Sequence, residues 1–287
     1  MPKATTFEAP TDATNTCTRW LWTGFVTLLL LTMSGTVSAN TTKLTAQSVA
    51  LRYDMIVLGT VISQPEVRLG AETPLNDGQT VRTMSVKAKT IGLTAKLYPL
   101  DNSLNTVLDA ATLRPIRTQV RRLHRGEMRR EKLVWGEGHL DITRNITGES
   151  GTRHEQESVV VDPDTRGGLG WLLWLQTLTL KKGESAQIPV HSGSYHMNVH
   201  VVAGGIETVL VPSGTYKARR YDIEFTRRQE GAANQSRGVA FTGKKNTLDE
   251  VSIWMSEDRY PVPIKLRINY KFIGDITMAL RDRRVGS

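Results

Sequence analysis

Between Ile264 and Phe272 apolar and polar residues alternate without a break: Ile264, Leu266, Ile268, Tyr270 and Phe272 against Lys265, Arg267, Asn269 and Lys271. A period of two held this long demands one buried and one wet face, which a β-strand half covered by a core provides. Gly274-Asp275 then offers a tight turn, and Ile276, Met278 and Leu280 resume the alternation with Thr277, Ala279 and Arg281. The pattern predicts an antiparallel hairpin burying Ile268 and Ile276.

The same reading runs back along the chain. Further strands are expected at Leu51 to Val61, Val81 to Tyr98, Pro115 to Leu123, Lys132 to Ile142, Ser158 to Val161, Tyr195 to Val202, Glu207 to Val211, Thr215 to Arg227 and Leu248 to Met255. Segments of this length, divided by Gly, Pro, Asn and Asp, predict a mostly all-β protein, an antiparallel barrel or sandwich. One segment differs. Gly168 to Leu180 places Trp171, Leu172, Leu175 and Leu178 at helical spacing on one face, predicting a short helix that plugs or caps the sheet. The turn that follows, near 181–184, is a candidate boundary between two halves.

The N-terminus carries a different kind of apolar run. Trp20 to Met33, flanked by Arg19 and ending in Val37-Ser38-Ala39, has the layout of a secretory signal, so residues 1–39 read as a signal peptide and 40–287 as an exported β-rich domain. If uncut, residues 20–37 would instead anchor the chain in the inner membrane. The one cysteine, Cys17, leaves with the signal, which excludes disulfides, cysteine zinc sites and thiol nucleophiles from the mature chain. The net charge of +9 survives cleavage, since the removed segment carries Lys3 and Arg19 against Glu8 and Asp12. Outside the inner membrane, periplasm being the expected compartment, such a charge meets phospholipid headgroups, lipopolysaccharide and acidic glycans rather than nucleic acid.

The run Ile253 to Ile264 (IWMSEDRYPVPI), followed by Phe272-Ile273-Gly274-Asp275-Ile276 and Ala279-Leu280, resembles the C-terminal part of the bacterial exported family called domain of unknown function 3108. Leu108-Asp109 with Leu113-Arg114-Pro115, Gly205 to Val209, and Val211 to Ala218 agree with it in order, so the resemblance spans roughly Tyr53 to Leu280. It implies an exported antiparallel β protein and supplies no catalytic residues. Read physically, Ser256 to Arg259 is a turn, with Asp258 able to accept backbone N–H bonds, and Pro261 and Pro263 put the next strand's start at an edge or bulge.

Residues able to carry chemistry are sparse. His196 and His200 share a strand face but stand about 13 Å apart along it, too far to share a metal ion. Asp162-Pro163-Asp164 reads as a turn, lacking the later ligands of a calcium loop. No cofactor is implied. The denser feature is basic: Arg114, Arg117, Arg121, Arg122, Arg125, Arg129, Arg130 and Lys132 fall within one stretch. With Arg125-Gly126-Glu127 as a hairpin tip, Arg117, Arg121 and Arg125 share a face, and Arg122, Arg129 and Arg130 complete a candidate anion-binding set, arginine forks suiting phosphate and carboxylate. A solvated, edge-protecting hairpin is the plainer alternative. Two functions follow. The first is a non-catalytic protein binding an envelope lipid, lipopolysaccharide, glycan or protein partner. The second is a hydrolase of an envelope polysaccharide or lipid, with carboxylates among Asp109, Glu137, Asp141 and Asp162; carboxylates paired in a cleft would favour the second, an apolar cavity the first.

Overall fold

The computed structural model describes residues 47–124, 126–167, 170–227, 248–270 and 274–286. The expected signal segment, Cys17 and Arg125 lie outside the described residues.

Alternation dictates the architecture: seventeen strands join in one sheet among the described residues. They are β1 (Val49–Val57), β2 (Thr60–Ser63), β3 (Glu66–Leu69), β4 (Thr73–Pro74), β5 (Thr80–Lys89), β6 (Leu100–Asp109), β7 (Pro115–His124), β8 (Glu127–Trp135), β9 (His139–Gly148), β10 (Gly151–Val160), β11 (Arg166–Gly167), β12 (Ser185–His191), β13 (His196–Val211), β14 (Gly214–Arg227), β15 (Leu248–Ser256), β16 (Pro263–Tyr270) and β17 (Gly274–Val285). Two short helices interrupt them, α1 (Gly92–Leu97) and α2 (Gly170–Leu175). Strands β12 to β17 form an antiparallel meander, β17 pairs back onto β1, and β1 leads through β3 and β5 into a second meander, β5 to β10. The pairing of first strand with last joins the two meanders around one core, in which Leu108, Leu140, Val199, Ile264, Ile268 and Leu280 are fully buried.

The sheet rolls until one edge meets the inner face of the other half. A Cβ on Gly167 of β11 would fall 2.1 Å from the Trp135 ring of β8, so glycine permits that contact. Gly193, in the β12–β13 turn, lies less tightly against Glu131 and Leu133, a Cβ there falling 3.2 Å from each. Arg144 of β9 completes the closure by donating to the Gly193 carbonyl.

Several expectations are refined by this architecture. The C-terminal hairpin holds, with Ile268 opposite Ile276, but Gly274 and Asp275 pair with Tyr270 and Asn269 inside the ladder, so the connection falls at 271–273, outside the described residues. Leu51 to Val61 breaks at Leu58-Gly59 into two strands. Val81 to Tyr98 ends as a strand at Lys89 and continues as α1. Lys132 to Ile142 contains a turn at 136–138, and Tyr195 to Val202 with Glu207 to Val211 is one strand bent at Gly204-Gly205. The predicted plug is present but shorter, six residues that are buried on every side, because i to i+3 bonds from Thr177 and Leu178 close it.

Candidate functional site

Three places concentrate the chemistry: an apolar pocket at one end of the rolled sheet, an ionic cluster inside its wall and a basic outer face.

The pocket lies where α2 caps the sheet. Val49 and Tyr53 of β1, Val67 of β3, Met84 of β5 and Leu172 of α2 form its walls, and Tyr260 to Pro263 form its roof. Its volume is about 50 Å³, room for roughly four waters or a short run of methylene groups. The one phenol in the wall is satisfied: Tyr53 donates to the Pro263 carbonyl at 2.8 Å, and burial pushes its ionisation upward so that it stays protonated. The roof is tied down by Arg283, which donates to Asp258 at 2.7 Å and to the Tyr260 carbonyl at 3.2 Å. Asp258 therefore serves Arg283 in this turn; the loop itself closes through Ser256, whose backbone N–H reaches the Val262 carbonyl and whose hydroxyl receives the Val262 N–H. Pro263 starts β16 at a register shift, the bulge its missing N–H requires.

The six arginines of the anion-binding set divide by strand parity. The β7–β8 hairpin forms as expected, with His124 opposite Glu127 around Arg125-Gly126. Arg122 and Arg129, directly opposite one another, face inward beside buried Glu131; Arg117, Arg121 and Arg130 face outward. The hairpin thus makes two sites, not one.

Inside, Glu131 stands opposite Arg144 and forms an ion pair with Arg129, with Arg122 at 3.5 Å. Burial alone would raise its pKa, but Arg122, Arg129 and Arg144 outweigh that and hold the carboxyl below its usual range. Arg144 also binds Glu157 at 2.8 Å. Against this cluster His191 accepts the Gly193 N–H at Nδ1, 3.1 Å, which requires the neutral ring. Burial, then His196 and Arg144, push His191 down to about 3. The two rings lie 5.9 Å apart, and no group of three metal-capable side chains occurs among the described residues.

Outside, cross-strand register lines up Lys87, Ser103, Arg121, Arg130 and Asn145 in one row, with Lys132 and Arg117 in the rows beyond. Arg121 reaches Asp101 at 3.4 Å.

The carboxylates of the hydrolase alternative do not converge. Asp109 binds Thr112 and Gln79 as a turn residue, and Asp141, on the outer face, lies 3.8 Å from His139. Asp162 accepts the Thr165 N–H through its carbonyl, in the expected turn, and like Glu137 it is exposed. The pocket had no signal in the sequence beyond Tyr260-Pro261-Val262-Pro263, which reads there as a hairpin.

No curated protein matches this chain. Among solved structures it is similar to a β-barrel-like protein of domain of unknown function 1849 from Brucella abortus, with 9% identity over 84% of this chain and 98% of that one and a TM-score of 0.46. It is also similar to a candidate lipoprotein from Parabacteroides distasonis, with 6% identity over 86% of this chain and 100% of that one and a TM-score of 0.33. The sequence description of the family "protein of unknown function (DUF3108)" matches residues 52–281, nearly all of the described chain, and the protein belongs to that family.

Proposed function

We propose that the protein is an exported, non-catalytic binder of an envelope amphiphile, with an apolar chain end held in the pocket beneath α2. The observation that carries the reading is the pocket itself: its wall is almost wholly apolar, the Tyr53 hydroxyl within that wall is already bonded, and no carboxylate pair faces it. Export rests on the Trp20 to Ala39 pattern; among the described residues no helix is long and apolar enough to cross a membrane. Arg283 acts as the latch of the roof, since both its bonds go to the 258–260 loop.

Displacement of a dansyl-labelled fatty acid, with native mass spectrometry for stoichiometry, tests this. The wild-type protein takes up one probe molecule. Val67→Phe fills the pocket from β3 and abolishes uptake while the protein still unfolds cooperatively. Equal uptake by that variant, or none by the wild type, rejects the reading.

The outward row of Lys87, Arg121 and Arg130 favours a second, compatible reading: this face meets an anionic envelope surface, lipid or glycan. Exchanging Arg117, Arg121 and Arg130 for glutamine weakens adsorption to lipopolysaccharide at low salt, and the difference disappears as salt rises, because exposed charges are screened beyond about 8–10 Å.

A further inference from the structure

Among the described residues two that are not glycine adopt left-handed backbone, and both are leucines: Leu113 at φ 58° and Leu58 at φ 47°. The strain at Leu113 is offset by packing, for its side chain is in the core and its carbonyl lies against Gly170 of α2. Leu58 has no such compensation. It forms the two-residue β1–β2 turn with Gly59, a position where asparagine or glycine suits positive φ, and it is 80% exposed. A strained, solvated leucine at a hairpin tip loses on both backbone and hydration, and such residues mark functional surfaces.

Leu58 is not alone at that end. Helix α1 packs beside β2, with the Ile91 N–H bonded to the Ile62 carbonyl at 3.0 Å. It buries none of its residues, and Leu93 and Leu97, one turn apart, are 71% and 76% exposed. Lys96 on α1, Lys87 and Lys89 on the outer face of β5, and Arg121 and Arg130 beyond them form a basic side to this end, against Asp101 and Glu127 there and Asp275 of β17 next to Leu58. Apolar tips beside a basic face match a surface that is anionic outside and apolar just beneath.

We infer that this end, opposite the pocket, docks on an anionic phospholipid bilayer with Leu58, Leu93 and Leu97 entering the headgroup layer. The contribution of the basic residues rests on the second reading above; the leucines are a separate observation.

Co-sedimentation of the exported form, Asn40 to Ser287, with phosphatidylcholine vesicles, with and without phosphatidylglycerol, separates the two. The wild type binds the anionic vesicles more tightly than the neutral ones. Leu58→Asn raises Tm, because asparagine suits positive φ, yet weakens binding; Leu93→Ser with Leu97→Ser leaves Tm unchanged and weakens binding at least about tenfold, the factor for losing one leucine's burial. The leucine effect persists at high salt, whereas that of Arg121→Gln with Arg130→Gln fades. Brominated acyl chains quench Leu58→Trp fluorescence but not Leu75→Trp, on the β4–β5 turn at the opposite end. Leucine variants that bind like the wild type, with arginine variants that do not, overturn insertion and leave the basic face standing. A wild type that ignores both vesicles overturns the docking surface, and capture by an envelope protein through the same leucines would assign it to a protein partner instead.

Discussion

Glu131 shows how a single residue can hold the rolled sheet together. It is enclosed by Arg122, Arg129 and Arg144, and Arg144 in turn holds the β12–β13 turn through the Gly193 carbonyl. Removing its charge leaves like-charged Arg122 and Arg129 facing each other across the β7–β8 ladder. Glu131→Gln is therefore expected to destabilise the fold by about 3–5 kcal/mol in urea unfolding, the usual cost of breaking a buried ion pair from one side. His191 adds a pH dependence of definite sign. Burial holds its folded pKa at about 3, below the ordinary histidine value of 6.5, so the unfolded chain takes up a proton that the folded protein refuses. Its contribution is complete above pH 6.5 and is lost as pH falls toward 3, with a slope of up to about 1.4 kcal/mol per pH unit. Glu131, also depressed, adds to the loss only below the ordinary carboxylate range. In His191→Gln the urea midpoint should be nearly flat between pH 6.5 and 5, where the wild type slopes; parallel slopes would place the proton elsewhere.

At the scale of the element, the C-terminal hairpin offers the sharpest contrast between faces. Ile268 is fully buried opposite Ile276, so Ile268→Asp puts an unpaired charge in the core at a cost of several kcal/mol and is expected to unfold the protein in a thermal melt. Lys265, on the other face, is not free: its ammonium lies 5.0 Å from the centroid of the Trp254 ring, which Arg220 covers at 5.8 Å. Lys265→Asp should thus cost about 0.5–1 kcal/mol, far less than Ile268→Asp but measurably more than nothing. The C-terminal hairpin was legible for the reason these two residues differ, whereas β12 went unread despite the alternation of Ala186, Ile188 and Val190, its run being short and carrying Pro189. β6 was not, because its inward positions include Asn102 and Thr106; the structure satisfies them across the strands, Asn102 accepting the Leu123 N–H and Thr106 meeting Thr118 at 3.2 Å. Helix α1 was hidden for the opposite reason, since a helix that buries no residue has no apolar period to detect. The arginine hairpin was legible as a hairpin, yet its division into inner and outer sets depends on which parity faces the core, and polar residues on both faces conceal that.

For the molecule as a whole, what could not be read from sequence is what rolling brings together. Arg144 and Gly193 meet only because one edge of the sheet tucks against the inner face of the other half, and the two halves are joined by the pairing of the first strand with the last. The pocket is a product of the same closure, assembled from β1, β3, β5 and β17, α2 and the 260–263 loop. A fold closed in this way by packing and ion pairs needs no covalent staple, and the sequence supplies none once its single cysteine is gone. That leads to a prediction about the exported protein. Cleavage after Ala39 yields a chain from Asn40 to Ser287 with no thiol, so its intact mass should match that span and its Tm should be the same with and without dithiothreitol. The comparison is informative because exported domains of weaker core depend on disulfides, whereas this one buries a continuous core from Val49 to Leu280. Recovery of Cys17 in a membrane fraction would show instead that residues 20–37 remain as an anchor, holding the protein at the bilayer without any help from Leu58, Leu93 and Leu97.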